Sequence, residues 1–228
     1  MQTKQEFKQT SVEDWARSDQ YHNSFLHSKD EALDYALQNS AAHDLPEIAV
    51  SAAQGKLLNL QARSIGAKRI LEVGTLGGYS TIWLARAVPA DGEVITLELN
   101  ELHAKVAQEN LDHAGVSGKV RIIVGPAHES MRRLEPAPPF DFIFIDADKP
   151  GNRDYFTEAK RLVRKGGVII VDNVVRYGRV ADPEYTDQMV EGVRTLLKAL
   201  EGDTDVDATS IGTVGDKGYD GFLYAIRK

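Results

Sequence analysis

One stretch, residues 69–81 with the sequence RILEVGTLGGYST, constrains the fold of this chain more than any other. Residues 70–73 are typical of a buried strand, and they run directly into a turn that contains three glycines. A helix should follow at once, capped by Ser80 or Thr81, because apolar residues then recur at helical spacing. A strand, a glycine turn and a helix start let backbone approach a nucleotide-like ligand closely, so we expect an adenosine-type ligand here.

The spacing of the three glycines argues against a dinucleotide site. Gly74, Gly77 and Gly78 do not follow the G-x-G-x-x-G pattern of such sites. Glu72 stands near the end of the strand, where a structural strand would favour Val or Ile, so we infer that its carboxylate faces the ligand pocket. A carboxylate there would repel a pyrophosphate and attract a cation. The alternative is that the glycines only form a sharp turn.

Composition narrows the class of protein. The 228 residues suit one α/β domain with a helical N-terminal extension. The net charge of -7 argues against nucleic acid as the main partner, because phosphate binding favours a basic face. The lack of cysteine excludes disulfides, Cys-ligated zinc and thiol nucleophiles. No apolar run has the length of a membrane span or signal peptide, so we expect a cytoplasmic protein with no membrane partner.

The first 66 residues contain no convincing strand and predict a helical cap or dimer arm, followed by a core at residues 67–228 of one domain, 1–228. Helices are expected at residues 12–18, 30–37 and 52–65. Asp30 should cap the second helix. Pro46 ends any helix before it, so Ser51 should cap the third. The apolar side chains of this region predict a homodimer: Phe7, Trp15, Tyr21, Phe25 and Leu26.

From residue 68 onward the chain alternates between strand-like and helical segments. The strand-like runs are residues 70–73, 94–97, 120–124, 142–145, 168–171, 206–211 and 222–226. The last two are too close for a helical crossover and should form an antiparallel pair joined by a loop at 212–221. The predicted fold is α/β, with a doubly wound, mostly parallel, Rossmann-like sheet of seven strands, an antiparallel C-terminal strand and N-terminal helices.

Four of the first five strands end in a carboxylate: Glu72, Glu98, Asp146 and Asp172. Ligands of open α/β sheets lie at the carboxyl ends of the strands, so these acids should converge on one crevice. A single acid of this kind is more often a helix cap, whereas four at equivalent positions favour a site. Glu98 follows the glycine turn at the interval expected for an acid that binds ribose hydroxyls.

The fourth and fifth strands deliver an all-oxygen set of side chains. Asp146, Asp172 and Asn173 suit a hard divalent ion such as Mg²⁺. Zinc would favour His or Cys, and neither motif contains a histidine. Lys149 beside such a cation could serve as a base, while the alternative for Asp148 and Lys149 is a turn with solvated charges.

Four motifs occur in a fixed order: residues 71–80 (LEVGTLGGYS), 125–127 (GPA), 144–149 (FIDADK) and 171–173 (VDN). In these motifs the chain resembles the cation-dependent class I S-adenosylmethionine O-methyltransferases of the caffeoyl-CoA and catechol type. The resemblance runs from residue 48 to the C-terminus, and the tail at residues 212–222 is similar to bacterial and fungal members. Plant members have Asn-Gly where this chain has Tyr177-Gly178, which argues against a caffeoyl-CoA acceptor.

The resemblance implies that S-adenosylmethionine is held by strand-end and turn residues, namely Ser51, Glu72, Gly74, Thr75, Ser80, Glu98, Leu99, Ala127, Asp146 and Asp148. It implies Mg²⁺, or another divalent cation such as Mn²⁺ or Ca²⁺, on Asp146, Asp172 and Asn173. Catalytic roles fall to Lys149, as the base, and to Asp146. The implied acceptor is a catechol-like or other vicinal-dihydroxy phenol, and the implied assembly is a homodimer.

Two other functions fit the same fold. A nucleotide-dependent oxidoreductase is disfavoured by the glycine spacing and by Glu72, and binding of NADH would revive it. A non-catalytic protein that binds S-adenosylmethionine as a sensor or scaffold would have no need of the polar set Asp146, Lys149, Asp172 and Asn173. The leading expectation is therefore metal-assisted transfer of a methyl group to a phenolic hydroxyl.

Overall fold

The structure is a computed structural model and describes residues 9–228. Its strands are β1 Arg69–Val73, β2 Glu93–Glu98, β3 Val120–Val124, β4 Phe140–Ile145, β5 Val163–Val171, β6 Val206–Gly215 and β7 Gly218–Arg227. They form one sheet in the order β3-β2-β1-β4-β5-β7-β6. Strands β1 to β5 pair in parallel, while β7 runs antiparallel to both β5 and β6. The predicted fold class is confirmed.

Helices cover both faces of this sheet. They are α1 Val12–Leu26, α2 Glu31–Ala42, α3 Ala52–Ser64, α4 Tyr79–Ala85, α5 Glu101–His113, α6 Ala127–Arg133, α7 Asn152–Leu162 and α8 Gln188–Leu200. None of the helices within residues 9–228 is both long and apolar enough to cross a membrane.

The first two N-terminal helices are longer than predicted, and α2 and α3 join the core whereas α1 does not. Helix α1 continues eight residues past the expected end at residue 18, to Leu26, yet it buries no side chain. Asp30 and Ser51 cap α2 and α3 as predicted, with their side chains accepting hydrogen bonds from the N–H groups of Leu33 and Gln54. Helix α1 thus differs from α2 and α3, which each bury apolar residues.

The C-terminal hairpin corrects one expectation. Residues 212–221 were expected to form a loop, but β6 and β7 pair continuously until Gly215 meets Gly218. The connection is therefore a two-residue turn at residues 216–217. The glycines in this stretch indicated a loop, but the ladder forms through backbone N–H and C=O groups, which glycine also provides.

The parallel strands separate two apolar layers because successive side chains point to opposite faces. Leu71 and Val73 lie in the layer that contains side chains of α6, α7 and α8. Ile70 lies in the other layer, with side chains of α2, α3, α4 and α5. By the same alternation Glu72 points towards this second layer, beneath α4.

Candidate active site

The candidate site lies at the carboxyl ends of β1, β2, β4 and β5, where the strand order reverses between β1 and β4. Backbone hydrogen bonds continue the sheet past these ends. The Asp146 N–H donates to the Val73 carbonyl at 2.8 Å, and the Asp172 N–H donates to the Ile145 carbonyl at 2.9 Å. The predicted acids are therefore held on adjacent strand ends by the ladder itself.

The glycine turn after β1 touches the end of β4. Gly74 has a φ of 99°, and a Cβ atom at this position would overlap the backbone oxygen of Asp146. Helix α4 starts at Tyr79 behind Gly78, which has a left-handed φ of 77° and makes no side-chain cap. The predicted cap at Ser80 or Thr81 is therefore wrong, because both hydroxyls are turned to Glu72 inside the protein.

Glu72 lies beneath the glycine turn with no exposed surface, rather than in the open crevice. The hydroxyls of Ser80 and Thr81 on α4 and of Thr96 on β2 all donate to its carboxylate. Burial raises the pKa of Glu72 to about 7, although the three hydroxyl groups oppose the shift. This carboxylate joins β1, β2 and the start of α4.

Glu98 is nearly buried at the end of β2 and binds the glycine turn from the other side. One carboxylate oxygen accepts the N–H groups of Thr75 and Leu76 at 3.1 and 2.8 Å. The other accepts the Asn100 N–H at 2.9 Å. Glu98 thus fixes the turn in addition to the ribose role predicted for it.

The remaining donor-site candidates lie around the same strand ends. Ser51 is half-buried and accepts the Gln54 N–H at 3.1 Å. Thr75 is buried, and its hydroxyl bonds that of Thr96. Leu99 follows β2 with 71% of its surface exposed. Ala127 begins α6 and is half-buried. An exposed leucine beside buried polar groups gives this part of the crevice an apolar wall.

Lys149 joins the strand ends of β4 and β5. Its side chain is 7% exposed, and Nζ donates to Asp146 Oδ1 at 2.9 Å. Asp172 is 5% exposed, and burial, followed by the nearby Asp146 carboxylate, raises its pKa to about 7, whereas Lys149 opposes the shift. Asp146, Lys149 and Asp172 therefore form one electrostatic cluster.

The two neighbours of this cluster have different surroundings. Asp148 caps a 3₁₀ turn by accepting the Gly151 N–H at 3.1 Å, and its other oxygen accepts the Tyr155 hydroxyl at 2.6 Å. Asn173 has a φ of 55°, a conformation that non-glycine residues adopt rarely, and it is half-buried. The structure thus brings Asn173 next to Asp172 and ties Asp148 into its own turn.

One residue of the cluster has no counterpart in the sequence predictions. Gln54 of α3 donates its side-chain N–H to Asp172 Oδ2 at 2.7 Å, across 118 residues of sequence. Its backbone N–H also donates to the Ser51 hydroxyl. A glutamine in the first turn of a helix is unremarkable, so only the tertiary contact reveals this link between α3 and β5.

The side chains at the ends of β4 and β5 fit a divalent cation by their chemistry. Within residues 9–228 no three His, Cys, Asp or Glu side chains come together as a metal-binding group. Asp146, Asp172 and Asn173 instead offer two carboxylates and one amide, all oxygen donors of the kind that Mg²⁺ prefers. The two carboxylates lie close enough for one to raise the pKa of the other, so the set fits a cation chemically.

Comparison with known proteins identifies the family. The family model described as O-methyltransferase matches residues 24–223. The chain belongs to this O-methyltransferase family. The family predicted from the sequence motifs and the predicted enzyme class are therefore confirmed.

Curated members of the family resemble this chain over most of its length. A catechol O-methyltransferase of Niastella koreensis is 48% identical over 212 residues, which cover 92% of this chain and 96% of the relative. A catechol O-methyltransferase of Mycobacterium tuberculosis is 49% identical over 91% of this chain and 94% of its own.

Solved structures share the fold of this chain. The O-methyltransferase TomG of Streptomyces achromogenes, in complex with SAM, superposes with a TM-score of 0.92 at 49% identity, covering 96% of this chain and 100% of that chain. An O-methyltransferase of Bacillus cereus, in complex with SAH, has a TM-score of 0.92 at 46% identity with the same coverage. Both confirm the Rossmann-like O-methyltransferase fold.

Proposed function

We propose that this enzyme transfers the methyl group of S-adenosylmethionine to one hydroxyl of a catechol-like phenol, with the help of a divalent cation. The observation that carries the proposal is the cluster of Asp146, Lys149 and Asp172 beside the glycine turn. A pure binding module would have no use for a buried lysine between two carboxylates. The names of the two curated relatives support a catechol as the acceptor.

The donor is proposed to lie against the glycine turn. Glu98 would accept hydrogen bonds from the ribose hydroxyls of the donor, and Gly74 would allow the backbone of the turn to approach the donor closely. The other proposed contacts come from Ser51, Thr75, Ser80, Leu99, Ala127, Asp146 and Asp148. Glu72, implied by the resemblance as a donor contact, has no exposed surface, so its proposed role is indirect: it holds Ser80 and Thr81 in position. The complexes of two similar enzymes with SAM and SAH support this assignment.

Asp146, Asp172 and Asn173 are the proposed metal ligands, with Mg²⁺, Mn²⁺ or Ca²⁺ as candidate ions. These side chains would hold the cation, which when bound would make a nearby phenol hydroxyl more acidic. Gln54 holds one oxygen of Asp172 at 2.7 Å and thereby orients this carboxylate. The chain thus presents two carboxylates in a fixed arrangement.

Lys149 is the proposed base. In its neutral amine form, Nζ would take the phenol proton and become an ammonium, and the phenolate oxygen would then attack the methyl carbon in line with the departing sulfur, which leaves as S-adenosylhomocysteine. Asp146 holds Nζ at 2.9 Å and keeps the lysine at the crevice. Burial of Lys149 and Asp172 keeps water away from the reacting atoms, which favours a step that neutralises the positive sulfonium.

Methylation of catechol with labelled donor tests this function. The purified enzyme is assayed as prepared, after exhaustive chelation, and after addition of Mg²⁺, Mn²⁺ or Ca²⁺ to the chelated sample. We expect the chelated enzyme to be inactive and one of the ions to restore turnover. Full activity in chelator would show that the carboxylate cluster is structural.

We also propose that the chain forms a homodimer through its N-terminal region. Tyr21, Phe25 and Leu26 of α1 are 64%, 73% and 70% exposed, which is unfavourable for a helix facing water. Trp15 is half-buried, and Phe7 lies outside the described residues. Truncation before residue 30 should change the mass measured by light scattering from that of a dimer to that of a monomer. A monomeric full-length protein would contradict the proposal. The cytoplasmic location and the single-domain division stay predictions.

A further inference from the structure

A hydrogen bond from helix α3 reaches the proposed metal ligand Asp172. The side-chain amide of Gln54 donates to Oδ2 of this carboxylate at 2.7 Å, and the backbone N–H of Asn173 donates to Oδ1 at 2.9 Å. Each oxygen of the carboxylate therefore accepts one N–H group. Two donors on different oxygens fix the plane of the carboxylate, because each hydrogen bond prefers one direction in space.

The first turn of α3 is a fixed base for the Gln54 side chain. Ser51 caps the helix: its hydroxyl accepts the Gln54 backbone N–H at 3.1 Å, and its carbonyl accepts the Gly55 N–H at 2.9 Å. Gly55 lies so close to Trp83 of α4 that a Cβ atom would overlap the indole ring. Because this backbone is held by the cap and by α4, the side chain loses less entropy when it binds Asp172.

The two carboxylates of the cluster have hydrogen-bond partners of different charge. Asp146 accepts from the ammonium of Lys149, whereas the donors to Asp172 are an amide side chain and a backbone N–H group. Lys149 also opposes the rise in the pKa of Asp172, yet its hydrogen bond goes to Asp146. An ammonium neutralises the carboxylate that it contacts, but an amide orients a carboxylate and leaves its negative charge in place.

We propose that Gln54 sets the affinity of the site for a divalent cation, because its neutral amide orients Asp172 without neutralising the charge that the cation needs. This inference rests on the proposed function, in which Asp172 is a metal ligand. Side chains that hold metal ligands in place commonly contribute about 10- to 100-fold to the affinity for the metal. Gln54 is thus a positioning residue, which acts through Asp172 rather than on the substrate.

Two substitutions at residue 54 separate orientation from charge. Gln54→Met keeps the approximate length of the side chain but removes the N–H donor, so Asp172 should lose its fixed orientation. Gln54→Glu also removes the donor, and it adds a negative charge beside Asp172. A divalent cation would neutralise this added charge, so Gln54→Glu should bind the cation more tightly than Gln54→Met.

Calorimetric titration with Mg²⁺, Mn²⁺ and Ca²⁺ tests the inference on the full-length enzyme with S-adenosylhomocysteine present, at about pH 8 so that carboxylates are ionised. For the ion that the wild type binds most tightly, we expect Gln54→Met to weaken binding by about 10-fold or more, and Gln54→Glu to recover part of this loss. The affinity for S-adenosylhomocysteine should stay within about 2-fold of the wild type, because the backbone N–H that binds Ser51 is unchanged.

Gln61 supplies the matched controls, because it is a half-buried glutamine of the same helix, about two turns further along. Gln61→Met and Gln61→Glu should bind the cation as the wild type does. Urea unfolding with and without the cation gives a second measurement. The cation should raise the midpoint of Gln54→Met less than that of the wild type at the same concentration.

Three results would overturn the inference. The first is wild-type affinity for the cation in Gln54→Met, or no binding of any of the three ions by the wild type. The second is a parallel loss of cation and S-adenosylhomocysteine binding in Gln54→Met, which would assign Gln54 a structural role. The third is weaker cation binding in Gln54→Glu than in Gln54→Met, which would contradict the role of charge.

Turnover of catechol with labelled donor is scored separately. If the cation affinities follow the expected order but catechol is not methylated, the proposed function fails and the role of Gln54 in cation binding stands. If catechol is methylated only with the cation, and Gln54→Met binds that cation as the wild type does, the proposed function stands and the inference about Gln54 fails.

Discussion

The carboxylates in the two halves of the candidate site are surrounded by different kinds of partners. In the donor half, at the ends of β1 and β2, Glu72 and Glu98 are each surrounded by neutral hydroxyl or backbone N–H donors. In the half proposed to bind the metal, called the metal half, Asp146 and Asp172 at the ends of β4 and β5 lie beside one ammonium, that of Lys149. Asp172 also accepts neutral N–H groups of Gln54 and Asn173. Equivalent positions in the sheet thus carry different chemistry.

This difference shows that the donors and charges around a strand-end acid, rather than its position in the sheet, decide what the acid does. A carboxylate with several neutral donors is a rigid cross-link between elements, because each donor fixes one direction in space. Two carboxylates with a single cation between them retain negative charge that a further cation can neutralise. The donor half is built for shape and the metal half for charge, and this distinction can be tested by substitution.

The largest effect is expected in the metal half from Asp172→Ala. Removal of one of the two carboxylates should abolish catechol turnover, while binding of S-adenosylhomocysteine should stay within about 2-fold of the wild type because the donor half is untouched. Turnover assays with Mg²⁺ and calorimetry on the same preparation measure both. Asp207→Ala, at an exposed carboxylate of β6, is the control. Loss of donor binding in Asp172→Ala would show that the halves are not separable.

Lys149→Ala should lower turnover by about 100- to 10,000-fold, the usual contribution of a positioned base. Unlike Asp172→Ala, this variant should still bind the divalent cation, since it removes no oxygen ligand. Metal titration followed by calorimetry distinguishes the two variants. Retention of more than half of the wild-type rate would exclude Lys149 as the base.

In the donor half, Glu98→Ala should weaken binding of S-adenosylhomocysteine by about 10- to 100-fold, as expected for the loss of hydrogen bonds to a charged acceptor. Part of this loss should come from the glycine turn, because Glu98 also accepts three backbone N–H groups. Metal affinity should be unchanged. An unaltered dissociation constant for the donor product would remove Glu98 from the donor site.

Glu72→Gln should change stability more than activity. The pKa of Glu72 is raised by burial from 4.5 to about 7, so the folded protein binds more protons than the unfolded chain between these values. The free energy of unfolding of the wild type therefore falls as pH rises through this window, by on the order of 3 kcal/mol. Glutamine does not titrate, so the variant should gain stability relative to the wild type between pH 5 and pH 8 in urea unfolding. Parallel stability curves would contradict this assignment.

Strand positions and strand-end acids could be predicted from the sequence because both follow local patterns. The runs ending in Glu72, Glu98, Asp146 and Asp172 are apolar, and the acids break them at one edge of the sheet. Long-range contacts could not be predicted. Gln54 reaches Asp172 across 118 residues, and no local pattern marks it.

Two further differences from prediction arise where the local preference of the residues is overridden. Ser80 and Thr81 are ordinary cap residues, so a cap was the natural prediction, yet the need of a buried carboxylate for donors draws both hydroxyls to Glu72. The hairpin of β6 and β7 contains four glycines within its predicted loop, which concealed a continuous ladder. In both places tertiary hydrogen bonding overrides the local preference of the residues.

The contact between Gly74 and the backbone of Asp146 has a consequence for engineering. Since even one added carbon at residue 74 would push the end of β4 away, the glycine turn and the Asp146-to-Lys149 segment cannot be exchanged as separate cassettes between related enzymes. The loop at residues 174–178, in contrast, is attached to β7 through Asp220 rather than to the turn. We therefore expect that residues 174–178 can be grafted together with the β6–β7 hairpin, with Asn173 kept, without disturbing the glycine turn.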